Sequence, residues 1–166
     1  MFRSSRIAHL RDRLLRRGVR SVAPGAWSFG AAPPQEQAAY DRILPFVEAI
    51  YLVIAADGVH TPEERDALLG AIRYLTEGEL GARAADHMIV ELQAALERDG
   101  LEVRLDEVAS RVCREPEDRE LALSLAAAAA MADGHAGPTE ESAVVGLAER
   151  LGFSESRLKA MLVDDD

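Results

Sequence analysis

Four carboxylates stand out by type and spacing: Asp57 with Glu64, and Asp133 with Glu140. Each aspartate opens an Asp-Gly pair, and each glutamate follows seven residues later. The two sets lie 76 residues apart, in "AADGVHTPEERDALL" and "MADGHAGPTEESAVV". Carboxylates grouped in this way can hold a divalent cation, because hard cations take oxygen ligands. Asp-Gly followed by Glu at this distance matches positions 5, 6 and 12 of an EF-hand loop. Positions 1 and 3 would then be Val53 and Ala55, or Ala129 and Met131, and none of these carries a side-chain oxygen. A standard EF-hand is therefore excluded. A divalent metal ion would need both loops at once, with four carboxylates and waters completing the shell.

The same aspartates have a structural reading. A negative charge at a helix C-terminus opposes the macrodipole by ~0.3–1 kcal/mol, so an acid placed there twice needs a partner. That partner is either a cation or the free amides that open the next helix. The residue types leave both open. His60 and His135 sit inside the same loops. They are nitrogen ligands if a transition metal binds, and solvated loop residues otherwise. No nucleophile stands beside a base and no Gly-rich phosphate loop occurs, so no catalytic residue and no enzyme activity is expected.

The elements that must position these groups are helices. Thr61-Pro62-Glu63-Glu64 reads as an N-cap, a proline at N1 and a capping-box glutamate at N3. In the second copy Gly137 takes the cap position, Pro138 is N1 and Glu140 is N3. Gly58 and Gly134 stand where the preceding helix must stop, and glycine enters the left-handed conformation without a Cβ clash. Apolar positions recur at helical spacing through residues 35–56, which form one helix bent at Pro45 or two meeting there. Further helices are expected over 62–76, 82–98, 102–114, 117–132, 138–151 and 154–163. No period-2 strand pattern appears. Leu68, Leu69, Val144 and Val145 occupy matched positions and are expected inward. Cys113, beside Val112, is expected to be buried. The run Ala126–Ala130 reads as a buried central helix that lets a neighbour approach closely.

The repeated helix–Asp-Gly–Glu–helix unit, closed in its second copy by Leu151-Gly152-Phe153-Ser154, resembles the tellurite-resistance TerB family. The N-terminal domain of membrane-anchored DnaJ-type co-chaperones is similar. The resemblance covers about residues 36–163. It implies an all-α fold: a bundle of about seven helices, built from two pseudo-twofold related helix–Asp-Gly turn–helix repeats. It also implies a bacterial stress-response role, often near a membrane, with Asp57, Glu64, Asp133 and Glu140 as metal ligands. A protein-interaction or co-chaperone-like role, with an acidic docking face and no metal, is the alternative. The basic N-terminal segment departs from the family pattern.

Charge divides the 166-residue chain at that segment. Its net charge is −10, yet residues 1–20 hold seven arginines and one acid, which leaves −16 on the remainder. The acidic body repels phosphate, so nucleic acid is not an expected partner; a divalent cation or a basic protein is. Residues 1–34 read as a basic N-terminal helix and a Pro/Gly linker, and residues 35–166 as the helical domain. The N-terminal helix carries an apolar stripe at Ile7, Leu10 and Leu14. It reads as a solvated arm, as a helix lying on an anionic membrane or partner, or as a nucleic-acid or targeting segment. One cysteine excludes an internal disulfide framework and a Cys-rich zinc site. No apolar run reaches the ~20 residues of a membrane span, and arginines rather than an apolar run open the chain. A cytoplasmic setting is expected, with contact at the inner face of the membrane if the basic helix lies on it.

Overall fold

The computed structural model describes residues 5–16, 34–58, 61–131 and 136–163. They form eight helices: α1 (Ser5–Arg16), α2 (Pro34–Ile54), α3 (Pro62–Thr76), α4 (Ala82–Asp99), α5 (Leu101–Val112), α6 (Pro116–Ala130), α7 (Pro138–Arg150) and α8 (Glu155–Val163). Among the described residues there is no strand. The all-helical expectation holds, and the starts at Pro62, Ala82 and Pro138 fall where the sequence puts them.

Helices α2 and α6 form the centre. From Phe46 to Ala55 every residue of α2 and its exit is buried, including one charged residue, Glu48. Such all-round burial removes amphipathic periodicity and marks an interior helix. Pro45 lies inside α2, which continues through it as one helix. Against it α6 sets Leu121, Leu123 and Leu125 with Ala122, Ala126 and Ala127. The alanine run is thus the close-approach surface expected. Helices α3, α4, α5 and α7 pack around α2, and α1, α5, α7 and α8 around α6. Gly100, at φ +81°, joins α4 to α5 in a conformation that only glycine adopts without strain.

The structure changes three expectations. Cys113 is exposed, its Sγ donating to the Ser110 carbonyl at 3.2 Å. The buried stripe of α5 runs through Leu105, Val108 and Val112. One residue further on, at about 100° per residue, the side chain turns away from it. Leu68 and Val144 are buried, whereas Leu69 and Val145 are half-buried at its edge. Adjacent helical residues point about 100° apart, so only one of each pair faces the core squarely.

The third change concerns α1, which is not a solvated arm. Ile7, Leu10 and Leu14 are 2%, 6% and 7% exposed and belong to the same core as α2 and α6. The apolar stripe that would face a membrane faces α6. Residues 17–33, which include the Pro/Gly linker, lie outside the described residues. No helix among the described residues is long and apolar enough to cross a membrane.

Candidate functional site

The first Asp-Gly loop leaves α2 through two tight turns. Ala55 donates its amide to the Tyr51 carbonyl at 2.9 Å, and Gly58 donates to Ala55 at 3.0 Å. Gly58 takes φ +76°, the left-handed conformation expected of it. Asp57 is exposed beside it. At the start of α3 the capping box is complete. Thr61 Oγ1 accepts the Glu64 amide at 3.2 Å, and Glu64 Oε2 accepts the Thr61 amide at 2.8 Å. At α7 half of the box is present: Glu140 Oε2 accepts the Gly137 amide at 2.7 Å. Glycine has no side chain with which to return the bond.

These contacts place three of the four carboxylates; Asp133, with Gly134 and His135, lies outside the described residues, as does His60. Glu64 and Glu140 each commit one oxygen to the start of their own helix. Among the described residues no three His, Cys, Asp or Glu side chains come together.

Two features escaped the sequence reading. The first is a buried ionic cluster between α2 and α5. Glu48, its side chain 2% exposed, accepts Arg104 Nε at 2.7 Å and Nη2 at 2.5 Å on Oε1. Arg104 Nη1 also reaches Asp99 at 3.2 Å. Glu48 Oε2 accepts no hydrogen bond, and Arg111 Nη1 stands 3.6 Å from it. Burial pushes the Glu48 carboxyl above its ordinary range, and the bond from Arg104 pulls it partly back. A charge inside an otherwise apolar ten-residue run was the available signal, but the run does not name its partner.

The second is a cavity of about 250 Å³ bounded by α6, α7 and α8. Its floor is apolar: Ala127, Ala130, Val144, Val145, Ala148 and Leu158. Glu141, Glu149, Glu155 and Lys159 line it as well, three acids against one base. Lys159 pairs with Glu155 at 2.6 Å. Met131, 46% exposed, also lines it.

Elsewhere the acidic body already holds a cationic helix. Arg6 of α1 bonds Glu120 of α6, and Arg13 Nη1 meets Glu117 at 2.5 Å. Arg11 lies over the Tyr74 ring of α3, 4.5 Å from its centroid, with Glu77 3.8 Å away. The apolar stripe of α1 is buried between these contacts.

A family model described as tellurite resistance protein TerB matches residues 46–162, from the middle of α2 to the end of α8. The match excludes α1. No curated protein and no solved structure matches the chain.

Proposed function

The chain belongs to the tellurite-resistance TerB family, and from that premise we propose that it is a non-catalytic stress-response module whose acidic body docks a basic protein segment. The observation that carries this is α1. A basic amphipathic helix outside the family match sits on α6, arginines on glutamates and apolar stripe inward. That face of α6 is filled by α1, so a partner segment docks on acidic surface that α1 leaves open, by the chemistry α1 displays. Its ion pairs are partly exposed, so each is worth about 0–1 kcal/mol and weakens with salt. Specificity then comes from matching charge with the apolar stripe.

A second reading is favoured by the recurrence of Asp-Gly-…-Glu at a fixed separation and by the exposure of Asp57. In it Asp57, Glu64, Asp133 and Glu140 bind one divalent cation, and the module senses or buffers it. Calorimetric titration with calcium, magnesium, zinc and manganese separates the two. Docking predicts no saturable heat, and unchanged rescue of a gene-deleted strain under tellurite or oxidant by Asp57→Asn/Asp133→Asn. A saturable heat that this double substitution abolishes, together with lost rescue, overturns docking in favour of the cation.

A further inference from the structure

The second Asp-Gly unit is a hollowed copy of the first. At the 76-residue offset Tyr51, Ile54, Leu69 and Ile72 align with Ala127, Ala130, Val145 and Ala148. In the first copy Tyr51, Ile54 and Ile72 are buried and Leu69 packs against the core. In the second copy the four smaller side chains line the cavity between α6, α7 and α8. Charge inverts at the same offset: Arg65 and Arg73 align with Glu141 and Glu149. Lys159 pairs with Glu155 and also feels the charge of Glu141, while no ion pair within 4 Å engages Glu141 or Glu149 among the described residues.

We propose that this cavity is a binding site for one apolar side chain of a protein partner, presented in a segment of pattern basic-x-apolar-x-basic. At about 250 Å³ the cavity exceeds the roughly 150 Å³ of an apolar cavity that takes up benzene, so one large apolar side chain fits. Met131, unbranched and adaptable, lies against it. Charge selects the flanks. Glu141 and Glu149 are eight residues apart on α7, about 12 Å along its axis at 1.5 Å per residue. An extended chain covers about 13 Å in four residues. Its alternation puts residues i, i+2 and i+4 on one face, so two basic side chains reach the two carboxylates while the residue between them enters the cavity. The proposal deepens the docking reading by naming a recognition feature, and it stands on the cavity rather than on α1.

The test is a ¹⁵N–¹H titration of the full chain with three capped peptides, Lys-Ser-Phe-Ser-Lys, Glu-Ser-Phe-Ser-Glu and Lys-Ser-Ala-Ser-Lys. The first should shift Ala127, Ala130, Val144 and Ala148 saturably, and the other two should bind at least tenfold more weakly. Glu141→Arg/Glu149→Arg, both exposed and so compatible with folding, should weaken the first peptide at least tenfold. Ala148→Ile, which restores the residue of the first copy, should do the same with the amide spectrum otherwise kept. Equal binding of the Phe and Ala peptides, with shifts away from the cavity, overturns this site and leaves acidic docking standing. Equal binding of the Lys and Glu peptides overturns the assigned flanks. No binding of any peptide to the folded chain overturns the site, while salt-dependent binding of an α1-like helix would still report on docking separately.

Discussion

Glu48 and Arg104 tie the central helix α2 to α5 through a buried ion pair, with Nε of the arginine 2.7 Å from Oε1 of the carboxylate. Removing one partner leaves the other charge buried and unpaired, which costs roughly 3–5 kcal/mol. Arg104→Met should therefore lower stability by that amount in urea denaturation, and Glu48→Gln/Arg104→Met should recover part of it.

The pH dependence of that variant has a definite sign. Burial already raises the Glu48 carboxyl above 4.5 in the intact protein. Loss of Arg104 removes the bond that lowers it, so the carboxyl rises further. A folded-state value above the unfolded one gives stability that is present below the unfolded value and lost as pH rises through the folded one. The stability gap between Arg104→Met and the intact protein should narrow from pH 7 to pH 4.5. A gap independent of pH would show that lost packing, not the stranded carboxylate, dominates.

Burial of Leu10 in the common core makes α1 part of the folded unit. Leu10→Ala should cost roughly 2–5 kcal/mol. A change below about 1 kcal/mol, as at surface sites, would show that α1 is dispensable.

The two helix starts offer a paired comparison. Thr61→Ala removes the bond to the Glu64 amide and should cost about 1 kcal/mol. Gly137 already holds the extended conformation of an N-cap, φ −67° and ψ 158°. Gly137→Ser should complete the box and raise stability by about a few tenths of a kcal/mol, since serine caps only slightly better than glycine. The new Cβ lies 3.3 Å from Glu140 Oε2, so that carboxylate must shift slightly. A loss of stability would mean that it does not.

The parts legible in the sequence were those governed by neighbours along the chain. Thr61, Pro62 and Glu64 announce the start of α3 because capping is a contact between residues three apart. Gly58 announces its turn because φ is a property of one residue. What stayed hidden depends on partners far away in sequence. Glu48 meets Arg104 across 56 positions, and nothing local in either helix names the other. The fate of the α1 stripe depended on what covered it, and an apolar face reads alike whether α6 or a membrane receives it. The candidate carboxylates were legible as a pattern, and two of them proved to be bonded at helix starts.

The run Ala126–Ala130 bears on how the chain acquires its order. An alanine surrenders no side-chain rotamers on burial, and it has the strongest intrinsic helix preference. Helix α6, one of the two at the centre, thus carries a stretch whose ordering conformational entropy opposes little. It can form early and give α2 a surface on which to condense. Ala→Gly substitutions along α6 should slow refolding nearly as much as they destabilise, the signature of a segment already structured in the transition state. The flanking helices, which have no such alanine run, should show their effects mainly in unfolding.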